Sequence, residues 1–173
     1  MKHIVIISFI FIICNPYAWS QGFNEEKSFH DLQKLRFKVV KAGIVGKKYY
    51  RDYTKNKKCN KTCITYLGQI KTSQNKIYKI LTCFYVHGAS CRGSSRIVIY
   101  DIDNKYVGNY ALTMPDDLPN KIIDNKLIFT EANTGCKFRK GFQISFDEGL
   151  PANIWLPCDE AGLGDSYPFS VEE

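Results

Sequence analysis

"KIYKILTCFYVHGASCRGSSRIVIYD", residues 76–101, decides the fold. Two runs rich in Ile, Val, Tyr and Phe flank a break at His87-Gly88. β-branched and aromatic side chains suit a pleated, half-buried surface, and a glycine-centred break between such runs predicts a hairpin. The same texture continues outward. "TYLGQIK" (65–71) lies upstream, and "KYVGNYALT" (105–113), "KLIFTE" (126–131), "GFQISF" (141–146) and "NIWLP" (153–157) lie downstream. Each is short and bounded by turn residues. The fragment "IDNK" occurs at 102–105 and again at 123–126. Asp and Asn tolerate the left-handed backbone of tight turns, so both copies are expected at hairpin tips. "DEGLPAN" (147–153) is expected to be a third connection, turning "GFQISF" back into "NIWLP".

Before these strands, "NEEKSFHDLQKLRFKVVKAG" (24–43) has helical periodicity. Phe29, Leu32, Leu35 or Arg36, and Val39 or Val40 recur at three- and four-residue steps and form one apolar stripe. Asn24 or Ser28 is the expected N-cap and Gly43 the expected stop. The predicted fold is α+β. One N-terminal helix packs on an antiparallel meander of six to eight strands, with scope for the sheet to curl toward a barrel.

The first residues, "MKHIVIISFIFIICNPYAWSQ", combine a basic start, an apolar run from Ile4 to Ile13 and a small-x-small exit at Ala18-Trp19-Ser20. This is the pattern of a secretory signal peptide. The expected organisation is a signal segment at 1–20, cleaved near Ser20-Gln21, and one disulfide-stabilised domain at 21–173. The expected location is periplasmic or extracellular. An Ile-, Lys- and Asn-rich composition leans toward a bacterial source.

Export governs the cysteines. Beyond Cys14 there are six: Cys59, Cys63, Cys83, Cys91, Cys136 and Cys158. An even number in an exported chain points to disulfides. Local pairing is expected: Cys83 with Cys91 across the hairpin, Cys136 with Cys158 around the last hairpin, and Cys59 with Cys63 as a staple in a basic loop. The rival readings of "KKCNKTC" (57–63) are weaker. Thioredoxin-type chemistry uses C-x-x-C at a helix start, and zinc needs a second ligand pair. "NKT" at Asn60 is also a glycosylation sequon.

No catalytic constellation is expected. "GASCR" (88–92) lacks the final glycine of a nucleophile elbow. His30 and His87 are read as solvated residues. Asp101/Asp103 and Asp147/Glu148 fall at predicted turns, where Asp serves the backbone. "DIDNK" (101–105) lacks the glycine and terminal Glu of a calcium loop. No cofactor and no metal is predicted.

Charge is uneven along the chain. Residues 21–96 hold 17 Lys and Arg against 4 Asp and Glu, whereas residues 97–173 hold 6 against 13. The densest basic stretch is 47–61, with Lys47, Lys48, Arg51, Lys55, Lys57, Lys58 and Lys61 among Tyr49, Tyr50 and Tyr53. Cations interleaved with aromatics suit an acidic partner, and Tyr and Arg are enriched in binding hot spots. The expected function is that of an exported, non-enzymatic binding protein. It would act as a periplasmic inhibitor or immunity-type protein that blocks a toxin or cell-wall hydrolase with an acidic surface or cleft. The alternative is a binder of an anionic polymer or surface through the same 47–61 stretch.

Overall fold

The structure is a computed structural model that describes residues 17–55, 58–130 and 136–172, with side chains from residue 29 onward except Lys137. The chain divides into two compact units, Met1–Gln33 and Lys34–Glu173. The helix α1 runs from Tyr17 to Ala42. It begins earlier than its expected caps and continues through the Ser20-Gln21 junction. Most of the expected signal segment lies outside the described residues. Gly43 ends the helix as expected: it takes φ +60°, and its N–H donates to the Val39 carbonyl at 3.1 Å. Leu32, Arg36, Val39 and Val40 are buried, whereas Phe29 and Phe37 are exposed. Arg36, not Leu35, therefore takes the central buried position of the stripe.

Among the described residues ten strands follow, all paired antiparallel. They are β1 (Lys48–Asp52), β2 (Cys59–Lys71), β3 (Ile77–Gly88), β4 (Arg92–Asp101), β5 (Tyr106–Leu112), β6 (Lys121–Ile123), β7 (Lys126–Ile128), β8 (Gln143–Ser145), β9 (Asn153–Pro157) and β10 (Gly164–Ser170). The α+β architecture is as predicted. Seven strands form an open sheet in the order β1-β2-β3-β4-β5-β10-β9, and β6-β7-β8 form a smaller one. The meander is strict from β1 to β5. The chain then leaves to build the small sheet and returns so that β10 lies beside β5.

Both "IDNK" copies are hairpin tips, joining β4 to β5 and β6 to β7. Asn104, Asp124 and Asn125 all have positive φ, which these residues tolerate better than branched ones. The "DEGLPAN" connection is a correction. It does not turn β8 back onto β9, because β8 pairs with β7 and β9 pairs with β10.

The alternation of side chains gives the large sheet two buried faces. On one, Ile80, Ile97, Ile99, Tyr110 and Leu112 join Leu127, Phe129, Phe146, Ile154, Leu156 and Tyr167 in the main core. On the other, Ile64, Tyr66, Leu81, Cys83 and Val98 are buried, and Arg36 donates to the Cys83 sulfur at 3.9 Å. The last turns of α1 thus lie on this second face. Each fully buried aliphatic side chain contributes about 1.5–3 kcal/mol of transfer free energy, so a sheet covered on both faces is a stiff platform for the residues at its rim.

Candidate binding surface

The 47–61 stretch is a β-hairpin and not an irregular loop. β1 is an edge strand, exposed along nearly its whole length, and it pairs only with β2. The register sets Lys48 opposite Thr65, Tyr50 opposite Cys63, and Asp52 opposite Lys61. Opposed residues share a face and successive residues alternate. Lys48, Tyr50, Asp52 and Lys61 therefore lie on the core-side face, and Tyr49 and Arg51 on the helix-side face. The predicted cation cluster is split between the two faces. Lys57 lies outside the described residues.

Local contacts fix the hairpin. Asp52 accepts the Thr54 N–H at 2.9 Å, and its other oxygen lies 3.5 Å from the Lys61 ammonium. The hydrogen bonds from Thr54, and then the Lys61 charge, hold its carboxyl below the usual aspartate range. Asp52 is thus spent on the turn and on Lys61, leaving Lys47, Lys48, Arg51, Lys55 and Lys58 as exposed cations. Lys47 sits 5.1 Å from the centre of the Tyr49 ring, and Arg51 donates to the Tyr50 carbonyl at 2.9 Å. Tyr50 and Tyr53 are both more than half exposed.

The disulfides correct the expected pairing. The bonds are Cys59–Cys91 and Cys136–Cys158, while Cys63 and Cys83 are free thiols. The Cys136–Cys158 pair is as predicted; the other two pairs are not. Cys59 and Cys63 are the first and fifth residues of β2. Four steps of about 3.3 Å put them ~13 Å apart, beyond disulfide reach. Cys83 lies opposite Arg96, well inside β3, while Cys91 is in the turn beyond Gly88. Cys59 is opposite Gly88, so its neighbour is the turn that carries Cys91, with Cα atoms 5.2 Å apart. The bond ties the tip end of the β1–β2 hairpin to the tip of the β3–β4 hairpin. The register of β2, β3 and β4 sets Arg92 and His87 beside the basic stretch, in the row Asn60–His87–Arg92. Both are exposed, and the His87 ring stacks on Tyr85 at 5.0 Å. From the sequence, the surface was expected within residues 47–61, where cations and tyrosines are densest.

A second cluster has no counterpart in the sequence reading. Arg139 and Asp117 form an ion pair with both side chains almost fully buried. Arg139 also pairs with Asp165 and points its Nε at the Pro157 carbonyl, 3.4 Å away. Asp117 accepts from the Tyr167 hydroxyl at 3.2 Å and from the Met114 N–H at 3.1 Å. Burial opposes the Arg139 charge, but the hydrogen bond it donates to Asp165 and the charge of the Asp117 carboxylate outweigh it and raise its pKa. Every oxygen of Asp117 is engaged, which suits a tie between segments and not a proton-transfer group. The Cys83 thiol is pushed up by burial against the opposing pull of Arg36, so it is a poor nucleophile.

The remaining candidates have structural roles. Asp101 accepts the N–H groups of Asp103 and Lys105 in the β4–β5 turn. Asp147 accepts from Asn125 at 2.9 Å. A cavity of 420 Å³ opens beside the β4–β5 turn, lined by Ile77, Tyr78, Asp101, Ile102 and Val107 among others, away from the basic hairpin. Among the described residues, no group of three His, Cys, Asp or Glu side chains is placed to hold a metal, and no helix is long and apolar enough to cross a membrane. Comparison with family models, with curated proteins and with solved structures finds no match to this chain.

Proposed function

We propose that this chain is an exported, non-enzymatic binding protein that recognises an acidic partner protein through the β1–β2 hairpin. An inhibitor or immunity-type protein that covers the acidic cleft of a toxin or cell-wall hydrolase is the form that best fits this reading. The observation that carries it is the exposed, cation-rich edge hairpin anchored near its tip by the Cys59–Cys91 bond. A covalently anchored hairpin on a two-faced core loses little conformational freedom on docking, which limits the cost of binding. Exposed Tyr50 and Tyr53 supply contact area that charge alone does not.

The test is a pull-down with tagged protein at low and high salt, with bound species identified by mass spectrometry. One stoichiometric protein retained at high salt supports the proposal. If the bait captures only anionic polymer, and salt strips it off in step with the number of lysines engaged, the polymer reading replaces it.

A further inference from the structure

We propose that the outer edge of β1 is a strand-addition site for an acidic, extended peptide segment of a partner protein, with Arg51 as its latch. This rests on reading the β1–β2 hairpin as the binding surface, and it specifies how that surface binds.

The ladder shows which backbone groups face outward. Tyr53 N–H donates to the Asn60 carbonyl at 2.7 Å. In an antiparallel pair, hydrogen-bonded and non-hydrogen-bonded residues alternate. With the β1 register, Arg51 and Tyr49 then bond inward to β2, and the N–H and C=O of Lys48, Tyr50 and Asp52 point to the open edge. The Tyr50 carbonyl, at the centre of that edge, is the group that accepts from the Arg51 guanidinium at 2.9 Å.

This arrangement selects its occupant by charge. A second copy adding its own β1 would bring together two hairpins that each carry Lys47, Lys48, Arg51, Lys55 and Lys58, and this net repulsion outweighs the Lys48–Asp52 pairing that the symmetric register allows. An acidic strand meets the opposite condition. Its side chains alternate between the two faces, where Lys48 and Arg51 stand on opposite sides. A partner carboxylate drawing the Arg51 guanidinium into a bidentate pair would free the Tyr50 carbonyl for the partner's N–H. An anionic polymer without a peptide backbone satisfies the cations but not the ladder.

The test uses protein expressed from the full-length sequence and a capped peptide of Glu-Glu-Val-Val repeats, which carries carboxylates on both faces of a strand and is long enough to span the five residues of β1. Binding is followed by titration and by amide exchange. Two controls keep every charge: the same peptide with alternate amides N-methylated, and Tyr50→Pro, which deletes one outward N–H where an edge strand tolerates proline. The expected result is saturable binding, slowed exchange at the amides of Lys48, Tyr50 and Asp52, and a loss of about tenfold or more in affinity in each control. If both controls bind as well as the originals, strand addition is overturned, while the acid-binding surface stands. No binding of the unmodified peptide to folded protein at millimolar concentration overturns the strand-addition site. The hairpin reading then rests on the pull-down alone.

Discussion

Gly108 shows how one residue sets the order of the large sheet. A Cβ at this position would overlap the Phe169 ring and the Ser170 carbonyl, where β10 lies against β5. Gly108→Ala is expected to destabilise the fold by about 1–3 kcal/mol through overpacking, read as a lower midpoint in urea unfolding. The buried Arg139–Asp117 pair is a second such point. Asp117→Ala leaves a buried guanidinium without its closest partner, and a loss of about 3–5 kcal/mol is expected in the same measurement. An unchanged midpoint would show that the pair contributes nothing. The two sites were not equally readable. Asp124-Asn125 declares its turn because the residue types themselves favour positive φ. Arg139 in "KFRK" looks like any solvated cation, and nothing local announces a partner 22 residues upstream.

Among the elements, β2 explains the main error and β10 the main omission. The polar, lysine-rich start of β2 hid a strand, because its pairing to β1 and β3 outweighs its weak β propensity. Once "CNKTC" is extended, the local staple is impossible and Cys59 must look across the sheet. Non-reducing peptide mapping should therefore recover Cys59–Cys91 and Cys136–Cys158 with two free thiols. Half-buried Cys63 should react in the native protein, and Cys83 only on unfolding. A Cys63–Cys83 or Cys83–Cys91 peptide would contradict the register. Removing the bond with Cys59→Ser/Cys91→Ser should cost about 2–4 kcal/mol and speed amide exchange in the β1–β2 hairpin. β10 lies outside the strands expected from the sequence, and Gly164 and Pro168 weaken the strand pattern of "GDSYPFS". Pro168 is accommodated where β10 passes from β9, its partner over Gly164–Pro168, to β5, its partner at Phe169 and Ser170.

For the whole molecule, the charge asymmetry of the sequence becomes an asymmetry of the large sheet. The basic half of the chain supplies β1 to β3, and the acidic half supplies β5, β10 and β9. The ion pairs Asp52–Lys61, Arg139–Asp117 and Arg139–Asp165 each join residues of the same half, so they do not cancel it. The α+β architecture was legible because it follows from periodicity. The row Asn60–His87–Arg92 beside the basic hairpin was not, because it depends on the long-range register of β2, β3 and β4. Core burial also sets the response to alkali. Desolvation raises the pKa of Tyr66, Tyr110 and Tyr167 above the ordinary tyrosine value. Their contribution to stability is complete below the unfolded tyrosine pKa, about 10, and is lost as pH climbs above it toward their folded values. Phenolate absorbance should rise in two stages, the second coinciding with loss of the β-rich circular dichroism signal. A single stage with retained structure would contradict this. The β1–β2 hairpin is the surface proposed to bind the partner. The most direct test is calorimetric titration of the captured partner into wild-type protein and into the folded variant Lys48→Glu/Arg51→Glu. A loss of about tenfold or more in affinity, 1.4 kcal/mol or more, is predicted; equal affinity for the two proteins would contradict the claim and place the binding surface elsewhere on the fold.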